Sequence, residues 1–188
     1  LQVRRALAGN GNCSPSLLHT LAIRYSQPTA KRGWESAESD SIRSLVGINP
    51  STATPTLELL AADPAVSVRS AVASNPNTAE MLLGQLIGDE NAVRLAVATT
   101  PSSPDAILEA LSIDEDMEVR LRVASNPNVS DSLVGTLARD SSKYVRESVG
   151  RNPAAPVPIL VALASDESLF VRAGVATNSH VTSSLIEK

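Results

Sequence analysis

A nine-residue stretch recurs along this chain at a nearly constant interval. The segment 68–76 reads VRSAVASNP, with close copies at 119–127 (VRLRVASNP) and 145–153 (VRESVGRNP). Looser copies begin at 3, 42, 93 and 171. The arginines of the last six copies are 25 or 26 residues apart, and Arg4 precedes Arg43 by one such interval plus a 13-residue insertion. A fixed period of this length predicts a repeat protein, in which each unit is one small supersecondary structure.

The recurring stretch has the pattern of a short amphipathic helix. With its arginine as position zero, Val or Ile stands at −1, Leu or Val at +3, and Ala or Gly at +4. These positions share one helical face, and the small residue at +4 allows a neighbouring backbone to approach closely. Proline is usual at +7, after Asn or Thr at +6. Because the residue before a proline is pushed out of the helical region, we expect the first helix to end there.

A second, longer helix is predicted in each unit. Apolar residues at +14 and leucines at +17 form a regular stripe, which indicates one buried face. Ser103, Pro104 and Asp105 have the pattern of a helix start. An aspartate at +20 closes most units, where the first unit has Arg24 instead.

Stacked two-helix units predict an all-α protein, an α-solenoid curved into a superhelix. About seven repeats of ~26 residues begin near 1, 40, 66, 91, 117, 143 and 169, and 1–188 is expected to be a single array. Residues 25–39 are predicted to form an insertion loop within the first repeat. Neither end shows a polar capping unit, which predicts a longer parent chain or end-to-end self-association.

The pattern VRxxVAxNP followed by LxxLAxD resembles the leucine-rich repeat variant family of bacterial proteins, similar in style to HEAT and armadillo arrays. The resemblance implies alternating α- and 3₁₀-helices wound as a right-handed superhelix, with the Val-Arg segment as the 3₁₀ or tighter helix. One member of that family carries an iron–sulfur cluster on a cysteine-rich N-terminal segment. Such a cluster needs about four thiolates, and Cys13 is the only cysteine here. We therefore expect no cofactor and no metal.

The composition argues against several functional classes. The net charge is −4, so the chain lacks the basic signature of a nucleic-acid-binding protein. No apolar run is long enough to span a bilayer, and the single cysteine suits a cytoplasmic location. His19 and His180 fall at different repeat positions, so the repeat does not bring them together. The sequence shows no combination of nucleophile and base that is typical of catalysis, and no glycine-rich phosphate loop. The chain is predicted not to be an enzyme.

Two ladders of charge run through the repeats. The arginines at position zero are Arg43, Arg69, Arg94, Arg120, Arg146 and Arg172, and the aspartates at +20 are Asp63, Asp89, Asp114, Asp140 and Asp166. Stacked arginines could bind a polyanion such as nucleic acid. A feature present in every unit is more simply structural, so we expect each aspartate to cap or pair with the next arginine of the ladder.

Function is expected where the copies differ. Positions −2, +1, +2 and +5 of the first helix lie away from the apolar face. In the C-terminal copies they carry the candidate protein-binding residues Glu118, Leu121, Arg122, Tyr144, Glu147, Arg151 and Phe170, to which the insertion adds Trp34. Aromatic residues with arginines are typical of interaction hot spots, although Tyr144 and Phe170 could instead pack on each other. We predict a scaffold that binds an unknown protein or peptide. The alternatives are polyanion binding along the arginines, or a docking or regulatory domain of a larger enzyme.

Overall fold

A computed structural model describes residues 2–26 and 33–181 of the chain, with the side chains of residues 33–36 excepted. Over these ranges the protein is entirely helical. The helices are α1 (Gln2–Gly9), α2 (Pro15–Ser26), α3 (Gly33–Ile48), α4 (Thr54–Ala61), α5 (Val66–Ala73), α6 (Glu80–Leu86), α7 (Asn91–Thr99), α8 (Asp105–Ser112), α9 (Met117–Ser125), α10 (Asp131–Leu137), α11 (Lys143–Arg151), α12 (Val157–Leu163) and α13 (Leu169–Ala176). Odd-numbered helices carry the Val-Arg stretch, and even-numbered helices carry the leucine stripe.

The chain forms two compact units, Leu1–Thr100 and Pro101–Lys188. In the first unit, α1, α3, α5 and α7 pack in succession as one layer, and α2, α4 and α6 form a second layer. In the second unit, α9, α11 and α13 form the corresponding first layer, while α8 packs on α9 and α10, and α12 packs on α11 and α13. Each unit thus repeats the same two-helix building block.

The core lies between the two layers, as the spacing of the apolar residues predicts. From α3 onward, the residues at −1 and +3 of the first helices are at most a few per cent exposed, and most are fully buried: Ile42, Val46, Val68, Val72, Val93, Val97, Val119, Val123, Val145, Val149, Val171 and Val175. In α1 the −1 residue, Val3, is instead 71% exposed. Leucines of the second helices, such as Leu57, Leu60, Leu108 and Leu160, close the core from the other side. Burying a Val or Leu side chain contributes about 1.5–3 kcal/mol, so this repeated apolar seam drives the stacking.

The structure confirms the all-α repeat fold but corrects the expected helix types. The Val-Arg segments α5, α7, α9, α11 and α13 are α-helices of 8 or 9 residues rather than 3₁₀-helices. Their bonds span four residues, as from the Arg69 N–H to the Ala65 carbonyl (3.2 Å). The second helices α4, α6, α8, α10 and α12 have 7 or 8 residues and are not longer. They end early because the +20 N–H bonds back to the +17 carbonyl, as from Asp140 to Leu137 (3.1 Å).

The insertion also differs from its prediction as a loop over 25–39. Tyr25 and Ser26 form the end of α2, and residues 33–39 form the beginning of α3, which is 16 residues long. Residues 27–32 lie outside the described part of the chain. The described parts of the insertion therefore extend the two flanking helices.

Candidate interaction surface

The arginines at position zero are bound to aspartates in a repeated geometry. In four repeats the Nε atom donates to the Oδ2 atom of the aspartate 20 residues later: Arg43 to Asp63 (2.6 Å), Arg69 to Asp89 (2.6 Å), Arg120 to Asp140 (2.7 Å) and Arg146 to Asp166 (2.7 Å). The Nη2 atom of each arginine donates to the Oδ1 atom of the same carboxylate. These bidentate pairs match the planar fork of the guanidinium. The arginine side chains are only 6–15% exposed.

The pairing differs from the predicted one. The sequence predicts that each aspartate binds the next arginine along the chain, six residues later, but in these four repeats the carboxylate binds the arginine of its own repeat. The next arginine instead donates its Nη1 atom to the main-chain carbonyl of that aspartate, as from Arg69 to Asp63 (2.8 Å) and from Arg146 to Asp140 (2.8 Å). The reason is geometric, because the second helix ends with its acidic turn next to the guanidinium of the same repeat.

These contacts perturb the aspartate ionisation. The hydrogen bonds from Arg69 and Arg146 lower the pKa of Asp89 and Asp166, respectively. Burial raises the pKa of Asp140, but the hydrogen bonds from Arg120 and from the Ser142 N–H outweigh it, so the net shift is downward. The same carboxylates raise the pKa of the paired arginines. The charges are therefore mutually neutralised, and these four arginines do not present an open track for a polyanion.

The asparagines at +6 form a second ladder. The sequence pattern indicates only that the first helix ends at this position. The Nδ2 atom of Asn75 donates to the carbonyls of Gly47 (2.7 Å) and Asn49 (2.8 Å) in the preceding repeat. Asn49, Asn152 and Asn178 make the corresponding pair of bonds. Each amide thus satisfies carbonyls at the C-terminal end of the preceding first helix. The recurrence of asparagine before proline was the available signal.

The first repeat uses a tyrosine in place of the acid. Arg4 donates from Nη1 to the Tyr25 hydroxyl (2.8 Å), and Arg43 donates from Nη1 to the Tyr25 carbonyl (2.7 Å). Asp40 supplies Arg43 with an additional carboxylate oxygen (2.9 Å). Tyr25 therefore makes both contacts that an aspartate makes elsewhere, one through its side chain and one through its main chain.

The predicted aromatic pair lies at the N-terminal ends of α11 and α13. Tyr144 is 48% exposed and Phe170 is 53% exposed, and Leu169 beside them is 68% exposed. The Lys143 ammonium lies 5.2 Å from the centre of the Tyr144 ring and 4.7 Å from that of Phe170. Both distances are within the range of cation–π attraction. No pattern in the sequence marks Lys143, which brings the two rings into one cluster.

The close approach of α11 and α13 places these rings side by side. Gly150 of α11 lies against Val175, and a Cβ atom at Gly150 would be 3.1 Å from the Val175 nitrogen. A Cβ atom at Gly174 would be 2.9 Å from the Glu147 carbonyl oxygen. Because both glycines remove a side chain from the contact, the two helices pack almost backbone to backbone.

The charged residues predicted for this surface are paired within their own helices. Arg122 donates to Glu118 (2.6 Å), and Arg151 donates to Glu147 (2.9 Å). Both are i,i+4 pairs, and exposed pairs of this kind contribute about 0.3–0.5 kcal/mol, although Glu147 itself is only 19% exposed. Leu121 is half-buried. Trp34 belongs to α3, but its side chain lies outside the described residues.

A cleft of about 520 Å³ opens beside the aromatic pair. Its lining consists of Ser141, Lys143, Arg146, Glu167, Ser168, Leu169 and Phe170. The lining combines the apolar side chains of Leu169 and Phe170 with charged and hydroxyl-bearing side chains. Throughout residues 2–26 and 33–181, no group of three or more His, Cys, Asp or Glu side chains is placed to hold a metal ion. In the same ranges, no helix has the length and apolar character to cross a membrane.

These features define an all-helical repeat solenoid. Among solved structures, the chain is similar to one described as a leucine-rich repeat variant with a novel repetitive protein structural motif. The TM-score is 0.58 at 22% sequence identity, and the match covers 87% of this chain and 72% of that chain. The chain therefore has the fold of a leucine-rich repeat variant, as the VRxxVAxNP pattern predicted. No protein-family model matches the sequence, and neither does any curated protein.

Proposed function

We propose that the chain is a non-enzymatic scaffold that binds a protein or peptide segment on the first-helix layer of residues 101–188. The observation that carries the proposal is the pair of half-exposed rings, Tyr144 and Phe170, held one repeat apart around Lys143. The same surface could bind a partner whether the chain is an independent scaffold or a docking domain of a larger enzyme.

The energetics of the aromatic pair favour an interface. Tyr144 and Phe170 leave about half of their surface in water, and burying a large apolar side chain contributes about 1.5–3 kcal/mol. Aromatic residues in clusters are enriched at hot spots of protein interfaces, because they bring a large contact area at little conformational cost. Burial by a partner would therefore contribute substantially to affinity.

The corresponding positions of the first unit are different. At −2 and +1 in residues 1–100, the helices α3, α5 and α7 carry Ser41, Ser44, Ser67, Ser70, Ala92 and Leu95. These side chains are mostly small and offer fewer anchors than two aromatic rings. The composition of the repeats thus favours the second unit as the binding region.

Polyanion binding along the arginines is not favoured. A phosphate backbone is bound through released counterions and accessible cations, whereas Arg43, Arg69, Arg120 and Arg146 are largely buried against aspartates. Binding there would require the ion pairs to open.

Affinity capture from a lysate of the source organism, with and without nuclease, tests the proposal. Wild type would be compared with the double variant Tyr144→Ala/Phe170→Ala. The matched control is Val157→Ala/Val161→Ala, which removes two side chains of similar exposure from α12 in the other layer. Melting curves would establish that all three proteins are equally folded.

We expect a protein partner that survives nuclease, is retained by the control and is lost with the aromatic variant. A partner retained by the aromatic variant would contradict the choice of surface. Capture that disappears with nuclease would contradict the scaffold proposal and favour nucleic acid.

A further inference from the structure

The cleft beside Phe170 contains a cation that has no carboxylate partner in the part of the chain that the structure describes. Lys143 is the first residue of α11, and its ammonium lies over the rings of Tyr144 and Phe170. Across the described ranges, no carboxylate oxygen lies within 4.0 Å of that ammonium. An ammonium has three N–H donors, so Lys143 retains donors for a ligand.

The other charged side chains near the cleft already make polar contacts. Arg146 binds Asp166 at 2.7 Å and contacts Glu167 at 3.5 Å. Glu147, on the next turn of α11, accepts from Arg151. Arg172 donates from Nη1 to the main-chain carbonyls of Asp166 (2.8 Å) and Glu167 (3.0 Å). Of the three ionised side chains that line the cleft, Lys143 is therefore the one that has no oppositely charged partner among the described residues.

We infer that the cleft binds a segment of a partner protein in which a carboxylate side chain stands next to a large apolar side chain. The carboxylate would bind the Lys143 ammonium, and the apolar group would pack on Leu169 and Phe170. This inference rests on the proposed scaffold function and gives the partner a chemical class. Peptide recognition of this kind combines an apolar contact, which supplies affinity, with a charge that supplies specificity.

The charge balance favours a carboxylate over a phosphate. Phosphate groups carry about two negative charges and are commonly bound by clusters of arginines. Here the lining supplies one ammonium, beside an Arg146 that Asp166 already neutralises, and Glu167, which is 90% exposed, lies on the same cleft. Glu167 repels a doubly charged group more strongly than a singly charged carboxylate, whose single charge Lys143 can balance.

Selection from a library of random linear peptides tests the inference. The full chain would be the bait, and peptides that also bind Tyr144→Ala/Phe170→Ala would be removed. We expect the recovered peptides to share an acidic residue adjacent to an aromatic or large aliphatic one. The affinity of the best peptide would then be measured by fluorescence anisotropy.

The charge variants give the decisive comparison. Lys143→Glu is expected to weaken the peptide at least about tenfold, which corresponds to about 1.4 kcal/mol. Lys143→Arg should keep most of the affinity, because it retains the charge and the contact with the rings. Arg139→Glu is the matched control, since it makes the same change of net charge at an exposed residue after α10. Lys143→Glu places an acid in the first turn of α11, where the helix dipole favours it, so the variant should remain folded.

A complementary peptide completes the test. If the acidic residue of the peptide is replaced by lysine, its affinity for Lys143→Glu should exceed its affinity for wild type. Peptides that depend on the aromatic pair but ignore the charge at 143 would overturn the inference and leave the scaffold proposal intact. Failure to recover any peptide that depends on the pair would contradict the proposed function itself. A dimer of the chain that dissociates in Lys143→Glu would make a second copy the occupant and would also overturn the inference.

Discussion

The Nε atom of Arg120 lies 2.7 Å from the Oδ2 atom of Asp140, which follows it by 20 residues and one helix. The main-chain carbonyl of the same aspartate accepts a bond from Arg146 of the next repeat (2.8 Å). Asp140 therefore links two consecutive repeats, one through its carboxylate and the other through its backbone. This double contact explains why both residue types recur with the period of the fold.

Replacement of the Asp140 carboxylate by an amide should destabilise the protein. Asp140→Asn can keep the bond that Oδ1 accepts from the Ser142 N–H (2.7 Å), but it leaves the largely buried Arg120 without a counter-charge. We expect a loss of about 2–4 kcal/mol in the free energy of unfolding. Urea unfolding followed by far-UV circular dichroism would measure it.

Glu167→Gln provides the control for Asp140→Asn. Glu167 is 90% exposed and contacts Arg146 at 3.5 Å, so its loss should change stability by less than about 0.5 kcal/mol. Equal effects of the two variants would contradict the view that the +20 aspartate, and not acidity in general, holds the repeats together.

Acidification should weaken the fold through the same carboxylates. The pKa values of Asp89, Asp140 and Asp166 are lowered in the folded protein. Each carboxylate therefore stabilises the folded state when the pH is above the pKa that the same aspartate has in the unfolded chain. That contribution begins to disappear as the pH falls below about 3.9, the usual value for an unfolded aspartate, and is gone below the folded pKa. Thermal melting between neutral and acidic pH would follow the loss. The difference in melting temperature between wild type and Asp140→Asn should shrink over the same range.

The asparagine ladder should contribute as much as the ion pairs. Asn152 is 3% exposed and donates to the carbonyls of Ala124 (2.7 Å) and Asn126 (3.0 Å). Asn152→Ala would leave these buried acceptors without their donor, at a cost of about 3 kcal/mol. Asn152→Thr should cost less, because Thr100 at the same repeat position still donates to the carbonyl of Ala73 in the preceding repeat (3.0 Å). Chemical denaturation would rank the variants, and an alanine variant as stable as wild type would disprove the role.

Two glycine-to-alanine substitutions should have opposite effects. At Gly150 a Cβ atom would lie 3.1 Å from both the Val175 nitrogen and its Cγ2 atom. Since the nitrogen is part of a packed helix, Gly150→Ala should separate α11 from α13 and cost about 1–2 kcal/mol. At Gly135 the nearest atom is Ile159 Cδ1 at 3.9 Å. Gly135→Ala should therefore stabilise α10 by about 0.5–1 kcal/mol through helix propensity. Melting temperatures that shift in the same direction would contradict this account.

The regular parts of the fold could be predicted from sequence because they repeat. Valines at −1 and +3 and leucines at +14 and +17 mark two buried faces, and the structure buries them in every repeat after the first, whose Val3 is exposed. The partners of the polar ladders could not be predicted in the same way. Arg120 is 6 residues from Asp114 and 20 residues from Asp140, and periodicity does not distinguish the two. The choice depends on where the second helix places its C-terminal turn, which is a tertiary property.

The candidate surface was predicted only in part. Tyr144 and Phe170 share a repeat position, so their proximity followed from the period, and the structure leaves both half-exposed. Lys143 carried no signal in the sequence, because no other repeat has a lysine at that position. Its placement over both rings depends on the packing of α11 against α13. The binding function of this surface stays a prediction.

The sequence by itself determined the class of the fold, the size of the repeat and the buried faces. These depend on local preferences and on a period that recurs in every unit, so any one copy supports the interpretation of the others. The tertiary structure decided which aspartate each arginine binds, how asparagine joins consecutive repeats and where a lysine meets two aromatic rings. These contacts join residues from different helices, and their geometry is set by how closely the helices stack.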